Sequence, residues 1–282
     1  MKKAAQFVIL FLISLQSFAQ NDTIKIGQLL ISKPESKSKL SWKEIIKNKD
    51  LHGLKVNYKK NIKSNFNQHE TSWFVFDLAL VNYLDETKYA ENKSLSNPTI
   101  GFPLSKFKMQ LNNAKSTNIN IWVVQQKHRF KNPFISLKYG LGFEMFNFRY
   151  ENGIDFRKDE SMNIYLSDKK YEKNKLFVSY ISFPIQLGYD FKLKNDKLVG
   201  VSGGLVSGYL FKSYNKQINR DLGKEKYNSN FSLRDMRLAG IFEIRIDKLK
   251  FFGTASLKNM LDKMDTNQSL YPYSFGLRFS KL

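Results

Sequence analysis

The stretch that most restricts this chain is residues 176–211, LFVSYISFPIQLGYDFKLKNDKLVGVSGGLVSGYLF. Ile181, Phe183, Ile185, Leu187, Tyr189 and Phe191 hold every second position, with Ser182, Pro184, Gln186, Gly188 and Asp190 between them. A period of two marks a strand whose faces meet different surroundings. After a polar turn at 192–197 the pattern returns. Val199, Val201, Leu205 and Tyr209 take one face, and Gly200, Ser202, Gly204 and Gly208 the other. In a soluble β-protein the bulky face would line the core. In a membrane barrel it would face lipid, with aromatics at the interfaces and small or polar groups inside.

The alternation recurs at 72–83, 117–128, 134–150, 235–247, 249–258 and 271–281, which with the two hairpin arms predicts eight strands. The run at 134–150 is the most regular and that at 249–258 the least. Links after the first, third, fifth and seventh runs are long and polar: 84–116, 151–175, 212–234 and 259–270. Those after the second, fourth and sixth are short: 129–133, 192–197 and 247–248. Long links at one end and short turns at the other describe an all-β fold, a transmembrane antiparallel up-and-down barrel with both termini on the short-turn side.

Opposite the bulky faces stand Asp77, Lys138, Glu144, Asp190, Asp235, Arg237, Glu243, Arg245 and Arg278, with many glycines and serines. Small residues suit the crowded interior of an eight-stranded barrel. Charges of both signs, nearly balanced, can compensate one another there. A water-facing surface would carry more Lys and Glu and fewer glycines. The charged set is therefore predicted to form a network in the lumen, with Trp122 beside it. Leu137, Leu141, Phe143, Phe183, Ile185, Leu187, Phe275 and Leu277 are predicted to meet lipid.

The N-terminus sets the compartment. Lys2 and Lys3 precede an apolar stretch, Phe7 to Leu15, that is too short to cross a bilayer, and Ser17-Phe18-Ala19 supplies small residues for cleavage. Residues 1–19 read as a signal peptide. Residues 20–71 read as a polar periplasmic arm, with a capping box at Ser41-Trp42-Lys43-Glu44 opening a short helix. The barrel is assigned to 72–282. A formal charge of +21 would by itself suit nucleic acid. Export argues against that partner, and the lysines fall mainly in the arm and links, where they are solvated or meet anionic headgroups. The chain has no cysteine, so thiolate chemistry and a lipid-anchored cysteine are excluded.

No active-site pattern emerges. His52, His69 and His128 lack metal-ligand spacing and read as solvated loop or turn residues. Gly200, Gly203, Gly204 and Gly208 lie inside a strand with no Lys-Ser/Thr helix behind them, so interior packing explains them better than a phosphate loop. Asp235 and Glu243 alternate with Arg237 and Arg245, an ion-paired set rather than an acid and a base. Asp85 and Glu86 read as ordinary loop residues. Neither an enzymatic activity nor a cofactor is expected.

Tyr180-Ile181-Ser182-Phe183-Pro184-Ile185 matches a recurring aromatic/aliphatic-x-x-Pro-aliphatic strand. Gly204-Leu205, Gly208-Tyr209-Leu210, Asp235 followed by Ala239-Gly240, and the ending Phe275-Gly276-Leu277-Arg278-Phe279 complete the pattern. On these residues, across 72–282, the chain resembles the PorT-like outer-membrane β-barrel proteins of the Bacteroidetes. Such barrels often end on an aromatic residue, whereas here Ser280-Lys281-Leu282 follow Phe279. The resemblance implies residence in the outer membrane, contact with its lipid or lipopolysaccharide, and handling by the barrel assembly machinery. It includes a member tied to a gliding- and secretion-associated export system. The leading expectation is a structural, adhesion or assembly component that meets protein partners through its loops or arm. The alternatives are a narrow pore or accessory subunit of an outer-membrane secretion or transport complex, and a soluble secreted β-barrel holding a lipophilic ligand.

Overall fold

The computed structural model describes residues 23–26, 29–32, 69–89, 104–132, 134–158, 162–167, 169–192, 198–221, 223–262 and 268–280. The chain divides into a unit ending at Lys63 and a unit from Ser64 to Leu282. In the first, β1 (Thr23–Ile26) and β2 (Leu29–Ser32) pair as an antiparallel hairpin inside the expected polar arm, for which no strand was expected. The expected signal peptide, the capping-box helix and His52 lie outside the described residues.

The second unit holds β3 (His69–Asp85), β4 (Thr117–Arg129), β5 (Ile135–Arg149), β6 (Ile154–Lys158), β7 (Met162–Leu166) and β8 (Lys173–Lys192). It continues with β9 (Leu198–Asn219), β10 (Gly223–Tyr227), β11 (Met236–Ile246), β12 (Leu249–Ser256) and β13 (Leu270–Phe279). Eight of these close a ring in the order β3-β4-β5-β8-β9-β11-β12-β13, every pairing antiparallel. β13 pairs back onto β3 from Leu270 opposite Asp85 to Phe279 opposite Phe76, so the sheet has no open seam. Closure is what allows strands to cross a membrane, because lipid offers no partner for an unpaired backbone edge. The ring is the eight-stranded barrel that the alternation implies.

The structure departs from the sequence expectation at three places. First, β8 and β9 run past their expected ends at 176 and 211, and β10 pairs onto the extension of β9. Both faces of Lys212–Asn219 carry polar residues, which hides the strand from a hydrophobic pattern. Second, the link at 151–175 contains the β6–β7 hairpin. Third, the links are not merely polar surface. They insert Leu104, Met109, Leu111, Ile154, Phe156, Ile164, Phe231, Leu233, Met260 and Leu261 into one buried cluster with Phe146, Phe148, Leu176, Val178 and Tyr180 of the barrel wall. Each such side chain gains about 1.5–3 kcal/mol by leaving water. The long-link mouth is therefore filled by a hydrophobic core.

Two adjacent irregularities reset the facing of β3 and β4. Phe74 and Val123 both drop out of the β3–β4 ladder between Trp73–Val124 and Val75–Trp122. Phe74 has a φ of 54°, a left-handed conformation that is strained for a bulky residue. As a result Trp73 and Phe74 are both exposed, and past Val123 the inward positions of β4 change parity.

Candidate functional site

Nearer the short turns the lumen holds ion pairs instead of a hydrocarbon core. At the barrel seam, Arg278 of β13 stands opposite Asp77 of β3. Its Nε and Nη2 donate to Oδ1 and Oδ2 of Asp77, both at 2.7 Å, and its Nη1 donates to Glu243 of β11 at 2.7 Å. Asp77 also accepts from Trp122 Nε1 at 2.7 Å and Asn120 Nδ2 at 3.2 Å. The guanidinium lies between the rings of Trp122 and Phe252, 5.7 and 5.4 Å from their centroids. Lys138 donates to the second oxygen of Glu243 at 2.6 Å.

A second cluster centres on Asp190 of β8. It accepts from Lys127 at 2.7 Å, Arg129 at 2.5 Å and Arg245 at 2.7 Å. Room for this comes from Gly200 on β9, where a Cβ would stand 2.5 Å from Asp190 Oδ1 and 3.2 Å from Arg245 Nε. Higher in the lumen Arg237 donates to Glu144 at 2.9 Å, and Ser182 Oγ donates to the same oxygen at 2.7 Å. A thin apolar layer of Val75, Trp122, Val206, Ala239 and Ile241 completes the filling. Within a barrel of this size each carboxylate is thus tied to a strand other than its own.

Of the expected lumen set, Asp77, Lys138, Glu144, Asp190, Arg237, Glu243, Arg245 and Arg278 are brought together in these clusters. Asp235 is not. It is exposed and precedes β11, where its carbonyl accepts from the Leu210 N–H. The alternation that placed it inside ends one residue too early to reach it. Lys127, Arg129 and Lys250 were missed and are buried in the lumen. Extending the Asn118-Asn120-Trp122 alternation would put Gln126 and His128 inside, and only the bulge at Val123 brings in Lys127 and Arg129. The charges lean towards cations: among the described residues seven lumen cations face Asp77, Asp85, Glu144, Asp190 and Glu243, with the half-buried Glu70 pairing with Arg129 at 3.3 Å.

The eight residues expected to meet lipid all lie on the outer wall. Leu187 and Phe275 are 62% and 57% exposed, while Leu137, Phe143 and Phe183 are half-buried by their neighbours. Two of the histidines are strand residues, correcting the loop or turn expectation. His69 and His128 stand opposite each other on β3 and β4 with their Nδ1 atoms 3.0 Å apart. No group of three or more metal-capable side chains gathers among the described residues. Asp85 is also more than a loop residue. It is buried, accepts from the Tyr89 hydroxyl at 2.7 Å and caps the Thr87 N–H. Burial, and then the bond to Asp85, push the Tyr89 phenol well above its ordinary range, which keeps it a donor.

The arrangement is a membrane wall around a filled interior: aliphatic and aromatic outside, ion-paired and plugged within. No curated relative matches the chain. The family model described as outer membrane protein beta-barrel domain matches residues 87–277, from just after β3 into β13. That match takes in more than half of the chain and agrees with the closed ring and its apolar exterior, so the chain belongs to the outer membrane protein beta-barrel domain family.

Proposed function

We propose that this outer-membrane barrel is a PorT-like protein, exported by residues 1–19, that acts as a non-enzymatic structural, adhesion or assembly component through its long links. The observation that carries the reading is the filled interior. Asp190 draws Lys127, Arg129 and Arg245 across the short-turn end, and the apolar cluster around Phe146, Phe148 and Phe231 occupies the other. Among the described residues, both halves of the lumen are thus occupied by packed or ion-paired side chains, which favours a scaffold over a solute path. Recognition is then left to the links and outer wall, where side chains are free to meet a partner. In a planar bilayer the purified barrel is expected to show no steady, large conductance. A stable wild-type current that passes small solutes would refute the scaffold role and favour a transport role.

A further inference from the structure

Four cations of four neighbouring strands stand in one row across the outer wall at the long-link end. Arg149 of β5 is opposite Lys175 of β8, Lys175 is opposite Lys216 of β9, and Lys216 is opposite Lys226 of β10. Residues paired in this way share a face. Their sequence neighbours Phe148, Asn174, Leu176, Asn215 and Gln217 are buried inside the barrel, so the cations point outward. Strands lie only about 4.8 Å apart, and like charges directly opposite one another are destabilising.

Among the described residues none of the four makes an ion pair with a carboxylate. Lys175 donates to the Asn147 side chain at 2.5 Å, and Arg149 to the Glu172 backbone carbonyl at 2.9 Å. The Glu172 carboxylate is taken by Arg220 at 2.8 Å, and Glu225 falls on the opposite face of β10 from Lys226. Lys173 and Lys224, both opposite Ile218, add charge one row higher.

The row sits directly above an aromatic pair. Phe177 and Tyr214 stack at 4.6 Å on the outer wall, with Lys175 Nζ 5.7 and 5.9 Å from their centroids and Lys226 Nζ 4.2 Å over Tyr214. On β8 the opposite aromatic boundary is Tyr189. The intervening span of about 12 residues at roughly 3.3 Å each, tilted by about 40°, projects to about 30 Å, the thickness of a hydrocarbon core. The cations therefore stand at headgroup depth on the side of the long links.

We propose that Arg149, Lys175, Lys216 and Lys226 form a binding site for the phosphate of an anionic outer-membrane lipid, whose acyl chains lie on the wall below Phe177 and Tyr214. The site requires membrane placement but not the scaffold role. The test uses the full mature protein in nonionic detergent, its folding checked by heat-modifiable gel mobility. Native mass spectrometry then measures retention of diphosphoryl lipid A, with phosphatidylcholine as the neutral lipid and inorganic phosphate as the free anion. Wild type is expected to retain lipid A and not phosphatidylcholine. Lys175→Gln with Lys216→Gln is expected to weaken lipid A binding about tenfold or more. Lys131→Gln with Lys248→Gln removes the same charge at the short-turn rim and should bind as wild type. In detergent alone Lys216→Gln should melt no lower than wild type, since a like-charge contact is gone, and added lipid A should raise the wild-type midpoint more than that of the variant. Undiminished binding by the Lys175/Lys216 variant would overturn the proposal. So would equal loss in the Lys131/Lys248 variant, or displacement of the lipid by millimolar inorganic phosphate.

Discussion

Removing the Asp77 carboxylate should loosen the barrel at its closing seam. Asp77 and Arg278 are 201 residues apart in sequence and opposite each other where β13 meets β3. Asp77→Ala leaves Arg278 with Glu243 alone, and Glu243 already serves Lys138. Breaking a buried pair from one side costs about 3–5 kcal/mol. The orphaned Trp122 N–H and Asn120 amide add about 1 kcal/mol or more. With a urea dependence of about 2 kcal/mol per molar, the unfolding midpoint should fall by about 2 M, and the band of unfolded mobility should appear at lower temperature. The double variant Asp77→Leu with Arg278→Met removes both charges, while Glu243 keeps Lys138. It should recover about half of the loss, because no unpaired guanidinium remains. If Asp77→Ala shifts the midpoint by less than about 0.5 M, or if the double variant is worse by the sum of the single ones, the seam is not held by this pair.

The outer wall and the arm give two further tests. Leu141→Arg puts a charge on the exposed face of β5 and should cost about 2–4 kcal/mol in lipid, read as a lower yield of folded protein in vesicles, whereas Ser202→Ala in the lumen loses bonds to Lys138 and Gln186 and should cost about 0.5–1.5 kcal/mol. Normal insertion of Leu141→Arg with loss of insertion by the lumen variant would invert the assigned faces. Deleting residues 20–63 should leave the heat-modifiable mobility unchanged, since the barrel unit begins at Ser64. Extending the deletion through 71 should weaken it, because that cut also removes the start of β3 and Glu70, a partner of Arg129.

The barrel is legible because one physical requirement, opposite environments on the two faces of each strand, writes itself as period two. Phe183, Ile185 and Leu187 outside against Ser182, Gln186 and Asp190 inside need no further information. Legibility ends where that requirement is relaxed. At Val123 one extra residue swaps the faces, and two lumen cations look external. On β12, Phe251 and Phe252 are adjacent because Phe252 packs inside against the Arg278 guanidinium, so the strand alternates weakly. In the links the apolar residues come in short groups, Ile154 with Phe156, Phe231 with Leu233 and Met260 with Leu261, too brief to announce that they converge in one mouth. Which carboxylate meets which cation is a further step removed. Side chains on separate strands are chosen by the ring's register, which alternation alone leaves open.

The cation row can be weighed against a second cause. An edge strand exposes unpaired backbone groups, and lysines on it discourage pairing with another chain. β10 is such an edge, lying outside the ring, and its Lys224 and Lys226 suit that purpose. Edge protection cannot account for the other members. Lys175 and Lys216 belong to strands paired on both sides at their level, and Arg149 is paired with Lys175 in the same ladder. A lysine in the middle of a sheet guards no edge, yet it still bears the repulsion of its neighbours. A single protective lysine on β10 would also have been better placed opposite an acid than opposite Lys216. The repulsion is tolerable if a ligand of opposite charge completes the row, and the stacked Phe177–Tyr214 pair beneath it sets the depth at which a lipid phosphate would do so.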